Sequence, residues 1–142
     1  MDRQLQQMMD EAPDALLISD REGIIRYWNR GAEQMFQHSS AEAVGQSLDL
    51  IIPENLRGRH WDGYHRVMAS GETKYKTGLL SSPGVRKDGS RLSLEFSMVL
   101  LRDETGAMTG CAAVMRDVTE RWQREKEIKE RLKACEEKLA GP

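Results

Sequence analysis

Cysteine is scarce in this chain: of its 142 residues, only Cys111 and Cys135 are cysteines. Two thiols in dissimilar surroundings argue against the disulfide framework of a small secreted protein and predict a reducing, cytoplasmic location. A run of about 20 apolar residues is also absent, so we expect no membrane span. The 21 basic and 23 acidic residues nearly balance, and we therefore expect no nucleic-acid partner.

The patterns that usually carry catalysis are missing as well. The sequence has no Gly-rich phosphate loop and no Ser-His-Asp order. Its three histidines, His38, His60 and His65, do not form a zinc-ligand pattern with cysteines or carboxylates. We therefore expect the chain not to be an enzyme.

Hydrophobic residues make up 39% of the chain, which is enough for the core of one domain. Residues 1–12 are polar with spaced apolar positions, a pattern typical of a short amphipathic helix. Residues 13–118 hold the apolar runs and most turn signals. Residues 119–142 are dominated by charge, which predicts a long exposed helix.

Within the central zone, the apolar pattern predicts strands on either side of a group of helices. Strand-like runs lie at 15–18, 24–28, 74–81, 91–101 and 110–115, and a turn-rich stretch occupies 82–90. Asn29, Ser39 and Pro53 are placed to begin the helices between the second and third strands. This order predicts an α+β domain in which helices cover one face of an antiparallel sheet.

Four short motifs occur in the order and at the separations typical of one sensory family. They are Asp-Arg-Glu-Gly at 20–23, Trp-Asn at 28–29, Arg-Lys-Asp-Gly-Ser at 86–90 and Arg-Asp-Val-Thr-Glu at 116–120. In this the chain resembles the PAS domains over about residues 8–120. The resemblance implies a five-stranded antiparallel sheet whose inner face and helices enclose a cavity, which in some members holds a cofactor.

His60 has the placement expected of an internal ligand. Spacings of four put it on one helical stripe with Leu56 and Tyr64, facing inward, whereas His65 faces water. The segment 53–60 resembles the one that carries the axial histidine in the haem-binding PAS sensors, where the histidine also follows a proline by seven residues. The resemblance implies that haem b is bound, with His60 ligating its iron and Tyr64 in the pocket. One protein ligand suffices because the porphyrin itself supplies four donors.

The same resemblance assigns further residues to the haem pocket. Arg66 falls at the place of an arginine beside the haem propionates, and Tyr75, Phe96 and Met98 fall at positions that wall the distal side. Met98 is also a candidate sixth ligand of the iron. Leu80 replaces an arginine that hydrogen-bonds bound oxygen in the oxygen sensors. Of the diatomic ligands CO, NO and O2, a pocket without this donor stabilises O2 poorly, which favours CO, NO or redox state as the signal.

The end of the chain predicts how a signal leaves the domain. Asp117 is placed to cap the last helix, with Glu120 three residues on. Apolar residues then follow at coiled-coil spacing: Ile128, Leu132, Cys135 and Leu139. We expect a parallel homodimer along this seam, and we expect the helix to relay the state of the sensor.

Two other interpretations stay open. A PAS domain can be a cofactor-free module that dimerises or binds a partner, in which case His60 is a hydrogen-bonded core residue and Phe96 and Met98 are packing. It can also bind a small organic metabolite in the same cavity. Colour separates these interpretations, because a haem protein has a strong Soret absorption band.

Overall fold

The computed structural model describes residues 2–73 and 78–141. In chain order its elements are α1 (Arg3–Glu11), β1 (Ala15–Asp20), β2 (Ile25–Trp28), α2 (Arg30–Phe36), α3 (Ser40–Ala43), α4 (Arg57–Ser70), β3 (Leu80–Val85), β4 (Arg91–Arg102), β5 (Met108–Asp117) and α5 (Thr119–Leu139). Two single-turn 3-10 helices, Leu48–Ile51 and Glu54–Leu56, lead into α4.

The strands form one antiparallel sheet in the order β2-β1-β5-β4-β3. Leu17 and Met98 both lie opposite Ala113, one from each neighbouring strand, so the three side chains share one face. This inner face is covered by helices, and the alternate residues of each strand form the outer face. The predicted α+β fold, with a five-stranded antiparallel sheet and helices on one face, is confirmed.

The inner face and the helices enclose the main core. It consists of Ala15, Leu17, Ile25, Trp28, Ala32, Phe36, Ala43, Leu48, Ile51, Leu92, Leu94, Ala113 and Met115. A smaller cluster of Met68, Met108 and Cys111 joins the end of α4 to β5. Because burying one large aliphatic side chain stabilises a fold by about 1.5–3 kcal/mol, these contacts hold the helices on the sheet.

Asn29 explains why α2 begins where the sequence predicts. Its side-chain oxygen accepts hydrogen bonds from the backbone N–H of Ala32 (2.9 Å) and of Leu16 (2.8 Å). Its amide donates to backbone carbonyls at the end of α1 and just after it. Ser39 likewise begins α3 by forming the predicted capping box with Glu42.

The third strand differs from the prediction. A strand was expected at 74–81 and turns throughout 82–90, whereas β3 spans Leu80–Val85 and the turn is confined to 86–90. Residues 74–77 lie outside the described part of the chain. Pro83 can occupy β3 because this strand is at the edge of the sheet, where a missing backbone N–H breaks no ladder on the open side.

The two terminal helices contribute nothing to the core. None of the described residues of α1 or α5 is buried. α5 begins at Thr119, one residue later than predicted, and Asp117 accepts the Thr119 N–H at 2.9 Å as the predicted cap does, but no bond from the Glu120 side chain accompanies it. Across residues 2–73 and 78–141, no helix combines the length and the apolar character needed to cross a bilayer.

Candidate functional site

α4 carries the aromatic residues that the sequence predicts to face inward. The helix runs from Arg57 to Ser70 and is closed by Gly71, whose φ of +70° suits the left-handed turn there. His60 and Tyr64 are one turn apart, with ring centroids separated by 5.7 Å, and both are half-buried. His65, five residues after His60, is exposed as expected.

The His60 side chain contains a buried polar atom without a partner. Its ring lies edge-on to Trp61 at a centroid distance of 4.7 Å, and its Nδ1 has no hydrogen-bond partner among the described residues. Burial lowers the pKa of His60, although the nearby Asp49 carboxylate acts in the opposite direction. The imidazole is therefore neutral at pH 7 and keeps a lone pair for a metal ion or a hydrogen-bond donor.

Tyr64 ties α4 to the sheet. Its hydroxyl donates a hydrogen bond to the backbone carbonyl of Asp20 and lies 2.9 Å from Ser19 Oγ. Burial raises the pKa of Tyr64 to about 12, so the phenol stays protonated. The side chain therefore spans the interior from α4 to the end of β1.

The inner face brings three of the predicted pocket residues together. Leu80 of β3 lies opposite Phe96 of β4, so both project from the same face. Met98, two residues after Phe96, projects from it as well. All three are half-buried. The sheet thus presents an apolar wall with no hydrogen-bond donor at the position of Leu80.

The space beside this wall is occupied by side chains. Tyr64 and Met98 pack against the cluster of Met68, Met108 and Cys111. Two surface grooves in the described part of the chain lie along α5, with a volume of about 320 Å³, and along α1, and neither is lined by His60. A porphyrin needs a pocket of several hundred cubic ångströms, and neither of these grooves supplies one at His60.

One predicted pocket residue lies away from this wall, and another is not described. Arg66 is exposed on α4, and Tyr75 lies outside the described residues. Within the part of the chain that the structure describes, no three His, Cys, Asp or Glu side chains gather to hold a metal ion. Among the described residues, a metal ion at His60 would therefore have fewer than three donors of these kinds.

Trp61 and Asp49 complete the site and were missed by the sequence reading. Trp61 Nε1 donates to Asp49 Oδ1 at 2.7 Å, and the indole packs on Gly23, where a Cβ would lie 2.1 Å from the ring. Gly23 has φ of +80° in the Asp-Arg-Glu-Gly turn. The glycine was visible as a turn residue, but no spacing in the sequence indicates that an indole fills the place of its side chain.

The junction between β5 and α5 is held by hydrogen bonds on several sides. Asp117 accepts from the Thr119 N–H at 2.9 Å and pairs with Arg86 at 3.1 Å. Burial raises the pKa of Asp117, but the bonds from Thr119 and the charge of Arg86 outweigh it, and the net pKa is lowered. Thr119 Oγ1 in turn accepts from the Ser93 N–H of β4 at 2.9 Å.

The same junction is linked to the helices through the turn at 86–90. Next to Arg86, the Lys87 ammonium lies 2.6 Å from Glu42, and the Lys87 N–H donates to Phe36 O at 3.0 Å. The ion pair with Lys87, assisted by the Ser39 capping bonds, lowers the pKa of Glu42 to about 2. A contact path therefore runs from α2 and α3 through this turn to the start of α5.

Comparison with known proteins gives a consistent family assignment. A family model described as "PAS fold" matches residues 9–123. The Sensor protein FixL of Bradyrhizobium diazoefficiens is 28% identical over 127 residues, which cover 89% of this chain and 25% of that protein. The chain spans a quarter or less of the length of the curated relatives it matches.

Solved structures agree at the level of the fold. The PAS domain of a protein from Colwellia psychrerythraea superposes with a TM-score of 0.72 at 22% identity, covering 83% of this chain and 97% of that one. An RNA-binding light-oxygen-voltage receptor superposes with a TM-score of 0.75 at 20% identity, covering 91% of this chain and 36% of that one. The same architecture thus accompanies more than one kind of sensor.

Proposed function

Since this chain belongs to the PAS family of signal-sensing domains, we propose that it binds haem b through His60 and responds to a diatomic gas or to redox state. The state of the site is relayed to α5. The gas is CO, NO or O2, with CO and NO favoured over O2. The role is sensory rather than catalytic.

The unpartnered Nδ1 of His60 carries this proposal. A buried polar atom without a hydrogen bond costs about 1–3 kcal/mol, and such an atom in a native protein calls for a missing partner. The lowered pKa keeps the ring neutral, which is the form that ligates a metal. When bound, haem supplies an iron that takes a diatomic ligand, and one imidazole suffices to hold it.

The surroundings of His60 support haem more than a bare metal ion. A lone imidazole is too small a donor set for zinc, which needs three or four protein ligands. Segment 53–60 resembles the axial-histidine segment of the haem-binding PAS sensors. The 28% identity with the Sensor protein FixL extends over 89% of this chain, a span that includes residues 53–60.

The apolar wall on the sheet bears on the choice of gas. Leu80, Phe96 and Met98 share one face and offer no hydrogen-bond donor to a polar ligand. A donor-free pocket leaves the charge on bound O2 unsatisfied, whereas CO needs less polar help. Met98 is the candidate for a sixth, displaceable ligand, and Arg66 and Tyr75 remain candidates for the edge of the pocket.

A cofactor-free dimerisation or partner-binding module is the second candidate, and the packing of Tyr64 and Met98 favours it. Tyr64, whose ring centroid is 5.7 Å from that of His60, packs with Met98 against Met68, Met108 and Cys111. Under this alternative they stay where they are, and His60 is a packing residue. If haem binds beside Tyr64 and Met98, these side chains take up different positions. The absorption spectrum described below distinguishes the two functions.

The contacts at the first turn of α5 support a relay to this helix. Thr119 is bonded to Ser93 of β4, and Arg121 pairs with Glu95 of the same strand at 2.6 Å. β4 also carries Phe96 and Met98, so a shift of the wall moves the residues that anchor α5. We infer that two copies meet along the seam of α5 and that the change is read out there.

An absorption spectrum tests the proposal. The full chain, expressed with added haem precursor, is expected to show a Soret band in the ferric, ferrous and CO-treated states. His60→Ala is expected to abolish or shift this band. His65→Ala is the matched control, because His65 lies on the same helix but is exposed, and its spectrum is expected to stay unchanged.

The folded state of each variant is checked by thermal unfolding. A colourless wild-type chain that is nevertheless folded rejects haem and supports the cofactor-free module. Equal loss of colour in His60→Ala and His65→Ala also contradicts the role of His60. A normal Soret band in His60→Ala means that another residue holds the iron.

A further inference from the structure

His38 is a buried titratable residue that the proposed haem site does not use. It lies directly after α2 and is only 9% exposed. Its backbone carbonyl accepts a 3.0 Å hydrogen bond from Trp28 Nε1 in the core, which fixes the chain at this point. Because histidine is the side chain whose ordinary pKa lies closest to neutrality, a histidine held in this way can respond to a modest change in pH.

The residues next to His38 join the end of α2 to the turn at 86–90. Gln37 closes α2 with φ of +69°, a left-handed conformation that costs a residue with a Cβ about 1–2 kcal/mol. Its side-chain oxygen accepts the Asp88 N–H at 3.2 Å, and the Phe36 carbonyl accepts the Lys87 N–H at 3.0 Å. The end of α2 and this turn are therefore held together on both sides of the strained residue.

The ion pair between Lys87 and Glu42 acts directly on His38. Lys87 Nζ lies 2.6 Å from Glu42 Oε2, and both side chains are about half exposed. Burial is the largest influence on the pKa of His38 and lowers it below the ordinary value of 6.5. The Lys87 ammonium acts in the same direction, and the Glu42 carboxylate acts against it. The imidazole is therefore neutral at pH 7, next to one charge that repels a proton and one that attracts it.

The other charges on these elements have partners of their own. Glu33 of α2 accepts a backbone N–H of α3 at 2.7 Å, and Arg86 pairs with the carboxylate before α5 at 3.1 Å. Hydrogen bonds from Ser90 lower the pKa of Asp88, and the ion pair lowers the pKa of Glu42 to about 2. Asp88 and Glu42 therefore keep their charges in mild acid, where the charge of a histidine changes.

We propose that His38, Glu42 and Lys87 form a proton latch that gives the domain a second input, acid. When His38 takes up a proton, its imidazolium competes for the Glu42 carboxylate and repels the Lys87 ammonium, so the ion pair separates. The turn that carries Lys87 is then held less firmly to α2 and α3. Its Arg86 is the partner of Asp117 at the start of α5, so the change reaches the helix. This input goes beyond the haem-based function and does not depend on haem.

The latch opens as the pH falls. Above pH 6.5 the His38 ring is neutral in both the folded and the unfolded chain, and the ion pair is closed. Below pH 6.5 the unfolded chain binds the proton more readily than the folded chain, because the pKa of His38 is lowered in the fold. The stabilisation of the closed latch is therefore lost as the pH falls through the folded-state pKa of His38.

An NMR titration of the full chain from neutral pH to pH 5 tests the latch. The His38 ring resonance reports its protonation, and the amide resonances of Lys87, Asp88 and Thr119 report the turn and the start of α5. We expect the three amides to shift with the same midpoint as the His38 ring. His38→Gln is expected to abolish these shifts. His65→Gln is the matched control, because His65 is exposed on α4, and it is expected to leave them unchanged.

Two charge variants test the ion pair and do not require His38→Gln to fold. Lys87→Met removes the cation that opposes protonation, so the His38 midpoint is expected to move to higher pH. Glu42→Gln removes the anion that favours protonation, so the midpoint is expected to move to lower pH. Lys129→Met, on the exposed α5, is the matched control and is expected to leave the midpoint at the wild-type value. Thermal unfolding verifies that each variant is folded.

Several results would overturn the latch. One is a His38 ring that does not titrate above pH 5, and another is a titration that the amides of Lys87 and Asp88 do not follow. Amide shifts that persist in His38→Gln, or a midpoint that stays the same in both Lys87→Met and Glu42→Gln, would also reject it. Shifts at the turn without one at Thr119 would reject the route to α5. The Soret band is measured separately, so failure of the latch is distinguishable from failure of haem binding.

Discussion

The surroundings of His60 and of Asp117 differ in how well their polar groups are satisfied. His60 Nδ1 is buried without a hydrogen bond in the described structure. Asp117, at the exit of the sheet, accepts from Thr119 with one carboxylate oxygen and pairs with Arg86 through the other. His60 Nδ1 can therefore accept a bond from a ligand, whereas both carboxylate oxygens of Asp117 already have partners within the chain.

This difference suits the two ends of a sensor. A buried donor or acceptor that lacks a partner gains free energy when a ligand supplies one. A connected network instead moves as a unit, because each of its bonds constrains the next. The bonds from Asp117 through Thr119 to Ser93 tie the start of α5 to the same strand that carries Phe96 and Met98.

Removing the hydroxyl that ties α4 to the sheet is expected to have the largest effect on stability. Tyr64→Phe leaves the ring in place but deletes the bonds to Asp20 and Ser19 in the interior. We expect the free energy of unfolding to fall by about 2 kcal/mol, measured by urea denaturation. Tyr27→Phe deletes an exposed hydroxyl bond to Asp10 and is expected to change it by less than about 0.5 kcal/mol. Equal losses in the two variants would mean that the bonds of the Tyr64 hydroxyl to Asp20 and Ser19 do not stabilise the packing of α4 on the sheet.

Breaking the output junction is expected to have an intermediate effect. Asp117→Ala deletes the bonds to Thr119 and Arg86, and we expect a loss of about 1–2 kcal/mol in the free energy of unfolding. Arg86→Ala removes the same ion pair together with the guanidinium bonds to Ser90 Oγ and the Arg91 carbonyl, so the two losses overlap only in the ion pair. A double-mutant cycle is expected to give a coupling of about 0.5–1 kcal/mol. Strictly additive losses would contradict a direct Arg86–Asp117 interaction.

The smallest expected effect is a change in how stability depends on pH. Burial lowers the pKa of His60 and of His38 below the ordinary value of 6.5. The unfolded chain therefore binds more protons than the folded chain just below pH 6.5, and stability falls as the pH drops through that range. Because the His60 ring is half-buried, we expect a slope below the ~1.4 kcal/mol per pH unit of one fully displaced proton.

His60→Leu tests the origin of this slope. The variant removes the unpartnered nitrogen, so we expect stability at pH 7 to be unchanged or slightly higher. We also expect a shallower decline between pH 6.5 and pH 5, with the remainder due to His38 and, toward pH 5, to carboxylates such as Glu42 whose pKa is lowered in the folded chain. Urea denaturation across that pH range measures both. An unchanged slope would show that His60 titrates alike in the folded and unfolded chain.

The local elements were predictable because local chemistry decides them. Asn29 and Ser39 begin helices through bonds to residues three positions away, and the alternation along β4 separates its two faces without reference to any other strand. The third strand was not predictable in this way. Pro83 reads as a turn residue, and only its place at the edge of the sheet makes it compatible with β3.

The candidate site was predictable in part for the same reason. Helical spacing indicated that His60 and Tyr64 share a side of α4, and strand spacing indicated that Phe96 and Met98 share a face. The contact between Trp61 and Asp49 depends on how α4 is set against the preceding turn, which spacing does not encode.

By itself, the sequence determined the order of the elements, their caps and the residues that face the interior, since these depend on neighbours within one or two turns. Only the tertiary structure decided that Tyr64 reaches Ser19, that Tyr64 and Met98 pack against one cluster and that Nδ1 of His60 has no partner among the described residues. Those facts depend on how separate elements pack against one another, and contacts across tens of residues leave no periodicity in the chain.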